Sequence, residues 1–176
     1  MTEGSFEGLE GLKIFTRAWR PAGKARAVVV ISHGFNSHSG EYFWVAEQLV
    51  ADGYAVYALD HRGRGKSDGE RFFVKKFGDY AGDLATFMTI VKAREPGLPV
   101  FLLGHSAGGV IATSYALDHQ EQLAGLICES FAYQVPAPDV ALAILKGLSH
   151  VAPHAKKNLR SAGRWEPRDG ESRASC

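Results

Sequence analysis

One stretch of the sequence has residue types and spacing suited to nucleophilic chemistry: VFLLGHSAGGVIATSYA, residues 100–116. It sets Ser106 between Gly104 and Gly108 in the pattern G-H-S-A-G, where an apolar run ends and a helix-like run begins. Taken alone, the pattern also describes a serine in a glycine-rich turn. The context argues for a nucleophile, because a serine on a sharp strand-to-helix turn has a strained backbone, and glycines beside it let strand and helix approach. Gly109 extends the same small surface. A serine hydroxyl attacks a carbonyl only when a base accepts its proton and an acid orients that base.

The segment ISHGFNSHSGEY (31–42) adds a second part, a strand end followed by a polar, glycine-containing loop. Acyl transfer develops negative charge on the carbonyl oxygen, and two backbone N–H groups aimed at that oxygen stabilise it. In a strand–elbow–helix architecture one belongs to the residue after the nucleophile and the other to such a loop. Those residues are Ala107 and Phe35.

A sheet must carry these groups. LKIFTRAWR (12–20) alternates apolar and polar residues and reads as a strand ended by PAGK. ARAVVVISHG (25–34), YAVYALD (54–60), PVFLLG (99–104) and LAGLICES (123–130) are the buried strands. Between them, EYFWVAEQLVADG (41–53) reads as a helix with an apolar stripe through Trp44, Val45 and Leu49, stopped by Gly53. FGDYAGDLATFMTIVKAREPG (77–97) puts Tyr80, Leu84, Phe87, Met88 and Val91 on one helical face. Residues 107–119 form the helix of the elbow, and PDVALAILKGLS (138–149) reads as another, with Pro138 in its first turn. Buried strands alternating with amphipathic helices specify βαβ units, hence a mostly parallel α/β sheet with helices on both faces.

Three motifs in order, HGFNSHSGEY, DHRGRGKSDG (60–69) and GHSAGG (104–109), resemble the monoacylglycerol lipase and lysophospholipase branch of the α/β-hydrolase superfamily, a relative of the serine aminopeptidase group. The resemblance covers residues 10 to about 152. It implies the α/β-hydrolase fold, a Ser-Asp-His hydrolytic mechanism without metal or organic cofactor, and lipid esters as small-molecule substrates. By that resemblance Ser106 is the nucleophile and Phe35 and Ala107 form the oxyanion hole. DHRGRGKSDG itself reads as a turn with local ion pairs beside the site, because no strand–loop–helix carries a phosphate-binding lysine.

The triad acid and base are not found. In this superfamily both follow the nucleophile in the chain. After Ser106 the histidines are His119, His150 and His154. Asp118 and His119 lie on the elbow helix, about 18 Å along its axis at ~1.5 Å per residue. Glu129 ends a strand at the correct sheet edge, but no histidine-bearing strand follows. His105 adjoins Ser106, and neighbouring side chains in an elbow point apart, so it is expected to pack. The simplest expectation is a truncated hydrolase, with the N-terminal part of the fold present and the later strands and lid missing. Three readings follow: a serine ester hydrolase, an inactive remnant or acyl-binding module, and an improvised triad of His150 or His154 with Asp139.

Bulk properties bound the partners. The chain has 176 residues and a net charge of +1, so nothing draws the molecule to nucleic acid. Residues 155–176 hold six of the 20 Lys and Arg residues and little apolar content, so the hydrolase domain is placed at 1–154 and a polar, disordered tail at 155–176. No apolar run reaches the ~18 residues of a membrane span, and MTEGSFEGLEGLK is no secretory signal. Two cysteines, Cys128 and Cys176, make no disulfide framework, and a cytoplasmic location is expected. Transient contact with a lipid surface and self-association through an exposed sheet edge are the remaining expectations.

Overall fold

The computed structural model describes residues 1–131 and Gly147. The chain divides into two compact units, Met1–Ala137 and Pro138–Cys176, and the first carries every element below. The helix expected over 138–149, His150, His154, Asp139 and the tail from residue 155 lie outside the described residues.

Among the described residues six strands form one sheet: β1 (Thr2–Glu7), β2 (Lys13–Trp19), β3 (Ala27–Ser32), β4 (Tyr54–Leu59), β5 (Val100–His105) and β6 (Gly125–Glu129). Their spatial order is β1-β2-β4-β3-β5-β6. β3 pairs in parallel with β4 and β5, and β5 with β6, while β1 and β2 run antiparallel at one side. Among the described residues three α-helices run between them: α1 (Phe43–Ala51), α2 (Gly78–Arg94) and α3 (Ala107–Asp118). The fold is that of an α/β-hydrolase, mostly parallel, with helices on both faces.

The continuous apolar run of β3 is explained by its two faces. Val28 and Val30 point into the layer holding Leu84, Phe87, Met88 and Val91 of α2 and Ile111 and Tyr115 of α3. Val29 and Ile31 point the other way, against Tyr42 and Ala46 around α1. Successive side chains alternate across a strand, so a strand covered on both faces has no polar position.

Three sequence expectations need correction. LAGLICES, expected as a buried strand, forms β6 with Leu126 to Glu129 exposed, because β6 is the last strand of the described sheet. β1 was not anticipated, because TEGSFE has no alternation to read: only Phe6 is even half-buried. Antiparallel pairing with β2 holds it, and the Phe6 ring stacks on Phe87 at 5.7 Å. The stripe of α1 is also misplaced at one residue, Trp44, whereas Leu49 packs against the buried cluster as expected. Trp44 is 70% exposed and Ala46 is fully buried. Ala46 lies two residues, about 200°, around the helix from Trp44, and its small side chain lets α1 come close to the sheet.

Candidate active site at the carboxyl edge of the sheet

Ser106 is the single residue between the end of β5 and the start of α3, with φ 51° and ψ −119°. A non-glycine residue there is strained by about 1 kcal/mol or more. Backbone bonds hold the strain: the Ser106 N–H donates to the Glu129 carbonyl at 2.9 Å, and the Gly109 N–H donates to the Ser106 carbonyl at 2.9 Å. The flanking glycines are required by contact. A Cβ on Gly104 would stand 2.6 Å from both the Gly108 oxygen and the Gly109 Cα, and one on Gly108 would overlap the Ser32 carbonyl.

The Phe35 loop lies against this elbow. A Cβ on Gly34 would be 3.4 Å from Ser106 Cβ and 3.2 Å from His105 Nδ1. Ala107 begins α3, where first-turn N–H groups have no intrahelical acceptor. Two side chains grip successive carbonyls of the loop. His33 Nδ1 bonds the Gly34 oxygen at 2.7 Å, and Arg64 Nε donates to the Phe35 oxygen at 2.6 Å. Holding the Gly34 carbonyl directs the opposite end of the same peptide, the Phe35 N–H, away from His33.

Hydrogen bonds assign both buried imidazoles. The His61 N–H donates to His33 Nε2 at 2.9 Å, so the His33 proton is on Nδ1, facing Gly34. Ser32 Oγ donates to the Gly108 oxygen, so it accepts from His61 Nε2–H at 3.0 Å. His61 Nδ1 is then a buried acceptor without a hydrogen-bond partner among the described residues. Burial pushes the His33 imidazolium down to about 4, and drives His61 well below its ordinary value. Both are neutral at pH 7 and neither serves as a charged group.

An apolar cavity of about 290 Å³ opens beside the elbow. Gly34, Phe35 and Ala107 line it together with Arg64, Phe72, Phe77, Tyr80 and Val110. Sequence reasoning placed Tyr80 on the apolar face of a helix and singled out neither Phe72 nor Phe77. No motif marks the two phenylalanines, because their place at the cavity follows from where the 70–77 loop lands.

The DHRGRGKSDG turn is structural, as expected, and more than a set of ion pairs. Buried Asp60 accepts from the N–H groups of Ser39 and Lys66, tying two loops together. Arg62 forks onto buried Asp83 at 2.7 and 2.9 Å. Arg64 reaches the cavity.

Among the described residues neither His105 nor His119 is brought to the Ser106 hydroxyl, and Glu129 meets Ser106 through its backbone carbonyl. His105 bonds Tyr42 Oη at 3.0 Å through Nδ1, the packing role expected of it. His119 sits past the far end of α3 against Tyr115 and Gln122. Among the described residues no histidine hydrogen-bonds the Ser106 hydroxyl.

A strained serine between strand and helix, with a glycine loop against it, matches a known group of sequences. The family model described as Serine aminopeptidase, S33, covers residues 23–176. The chain belongs to this family. Within reach of that family is the monoacylglycerol lipase of Mycolicibacterium smegmatis, 36% identical over 156 residues, covering 86% of this chain and 55% of the relative. Human monoglyceride lipase is 40% identical over 118 residues, 67% of this chain and 39% of the relative. Among solved structures, a thermostable carboxyl esterase from Bacillus coagulans in complex with glycerol superposes with a TM-score of 0.74 at 33% identity, covering 86% of this chain and 51% of that one. The chain thus spans about half the length of several relatives it matches. Among the described residues no helix is long and apolar enough to cross a membrane.

Proposed function

We propose that the chain bears the nucleophile and oxyanion hole of a serine ester hydrolase of the monoacylglycerol lipase type, acting on monoacylglycerols, lysophospholipids or similar carboxylic esters. The observation that carries this reading is the Ser106 backbone, strained between β5 and α3 with the Phe35 loop packed against it. A base takes the Oγ proton as Oγ bonds the carbonyl carbon. The Phe35 and Ala107 N–H groups hold the oxyanion, the alcohol leaves with the proton, and water releases the acyl group. The relatives' names, monoacylglycerol lipase and carboxyl esterase, support the substrate class. The test is hydrolysis of a monoacylglycerol and a p-nitrophenyl ester by the full chain, against Ser106→Ala. Turnover lost in the variant supports the reading.

One observation favours a second reading, an acyl-binding module: the Ser106 hydroxyl has no histidine partner among the described residues. Equal affinity for a monoacylglycerol in parent and Ser106→Ala, with turnover in neither, would select it.

Finer features belong to the same proposal. The hydrolase domain occupies 1–154 and a separate polar segment 155–176, in the cytoplasm. Exposed Phe35, Phe72, Phe77 and Val110 around the cavity touch a lipid surface transiently. Exposed Leu126 and Ile127 on β6, the last strand of the described sheet, support self-association. Light scattering reports the latter; a monodisperse monomer at tens of micromolar contradicts it.

A further inference from the structure

Phe72 has φ 64°, a left-handed conformation that bulky residues rarely adopt. Core burial does not account for it, since the residue is 55% exposed. Its ring instead faces the Arg64 guanidinium, 4.4 Å from Cζ to the ring centroid, and the Phe35 ring at 5.7 Å. Arg64 is stacked on Phe35 at the same 4.4 Å. Arg64 is buried, and among the described residues no carboxylate stands at ion-pair distance; its guanidinium meets two rings and the carbonyls of Phe35 and Gly63. The stack is therefore a fixed wall of the cavity rather than part of an ion-pair network. The cavity's other wall includes Val110 and Ile111 of α3.

The geometry points to Phe72 as a specificity-determining residue, completing with Arg64 and Phe35 the wall of a pocket that receives the acyl arm of a carboxylic ester. The assignment rests on the ester-hydrolase reading of Ser106. An ester carbonyl held by Phe35 and Ala107 lies at the cavity's edge, because both residues line it. Of the ester's two arms, an apolar cavity accepts the hydrocarbon one and leaves a hydroxylated alcohol in water. A volume of 290 Å³ accommodates roughly ten non-hydrogen atoms at ~30 Å³ each. A medium-chain or phenylalkanoyl acyl group matches that size, and Phe72 is among the side chains it meets. Strain retained at a half-exposed aromatic beside a cavity is accounted for by this role.

Binding in the full-length Ser106→Ala chain tests the pocket without requiring turnover. Methyl 3-phenylpropanoate is titrated while amide NMR shifts are followed. The expected result is saturable shifts at Phe35, Phe72 and Ala107. Phe72→Gly should weaken binding about tenfold while the melting temperature stays equal or rises, because glycine takes positive φ without strain. Phe72→Asn, also tolerant of that conformation, should weaken binding likewise. Unchanged affinity in both variants, shifts elsewhere, a lowered melting temperature with affinity intact, or no binding up to the ester's solubility would each overturn the assignment. Fluorophosphonate labelling of the parent chain is read separately. Label on Ser106 without pocket binding removes the role of Phe72 alone; pocket binding without label removes the hydrolase reading and leaves the pocket.

Discussion

Acid should destabilise this domain through the two buried histidines beside the Phe35 loop. His33 titrates near 4 in the folded chain against 6.5 as its ordinary value. Burial is the main cause; the Gly34 carbonyl and Asp60 oppose it, and Arg64 and His38 reinforce it. A depressed histidine means that the unfolded chain binds the proton first. Stability is therefore full above pH 6.5, falls as pH drops toward 4, and levels off for this group below that. Between those limits the slope approaches about 1.4 kcal/mol per pH unit, and from pH 7 to 4.5 His33 alone removes about 2.4 kcal/mol. His61, also driven down by burial, acts in the same direction. Urea unfolding at pH 7, 5.5 and 4.5 measures the loss. His33→Gln retains an acceptor for the His61 N–H and cannot titrate. It should be less stable than the parent at pH 7, by about 1 kcal/mol for the lost bond to Gly34, yet should lose less stability on acidification. Carboxylates held down by cations, Glu3 and Glu10, titrate in both proteins and cancel in the comparison. Equal pH slopes in parent and variant would refute the reasoning.

Other perturbations act on the same frame. Gly104→Ala places a methyl group against backbone at 2.6 Å, and should lower stability by about 1–3 kcal/mol in chemical unfolding. Arg62→Met strands the carboxylate of Asp83, which is fully buried, and should cost about 3–5 kcal/mol, whereas Arg62→Met with Asp83→Leu should cost clearly less. Ser106→Gly relieves a φ of 51° and should stabilise the chain by about 1 kcal/mol while removing any serine-directed labelling; a destabilised variant would contradict the strain.

Much of this was legible beforehand, for physical reasons. β3 announces itself because burial on both faces removes polar positions, and the elbow because a tight strand–helix junction demands Gly104 and Gly108 where the sequence has them. β1 was invisible because its stability comes from pairing with β2, not from its own side chains. Trp44 misled for the converse reason: a large apolar residue on α1 looked like its core face, while close approach to the sheet selected Ala46. The Phe35–Arg64–Phe72 wall was beyond reach, since cation–π stacking between loops separated in sequence leaves no periodicity to read.

The role of Ser106 is the claim on which the function turns, and peptide-mapped labelling with a fluorophosphonate tests it most directly. Prolonged incubation of the full chain, digestion and mass spectrometry should find one adduct per chain, on Ser106, absent from Ser106→Ala. Labelling should be slow, because no histidine bonds that hydroxyl among the described residues, and the loss of a base typically costs a factor of about 10⁴ to 10⁶. Label on another residue, or label that persists in Ser106→Ala, would contradict the assignment of the nucleophile.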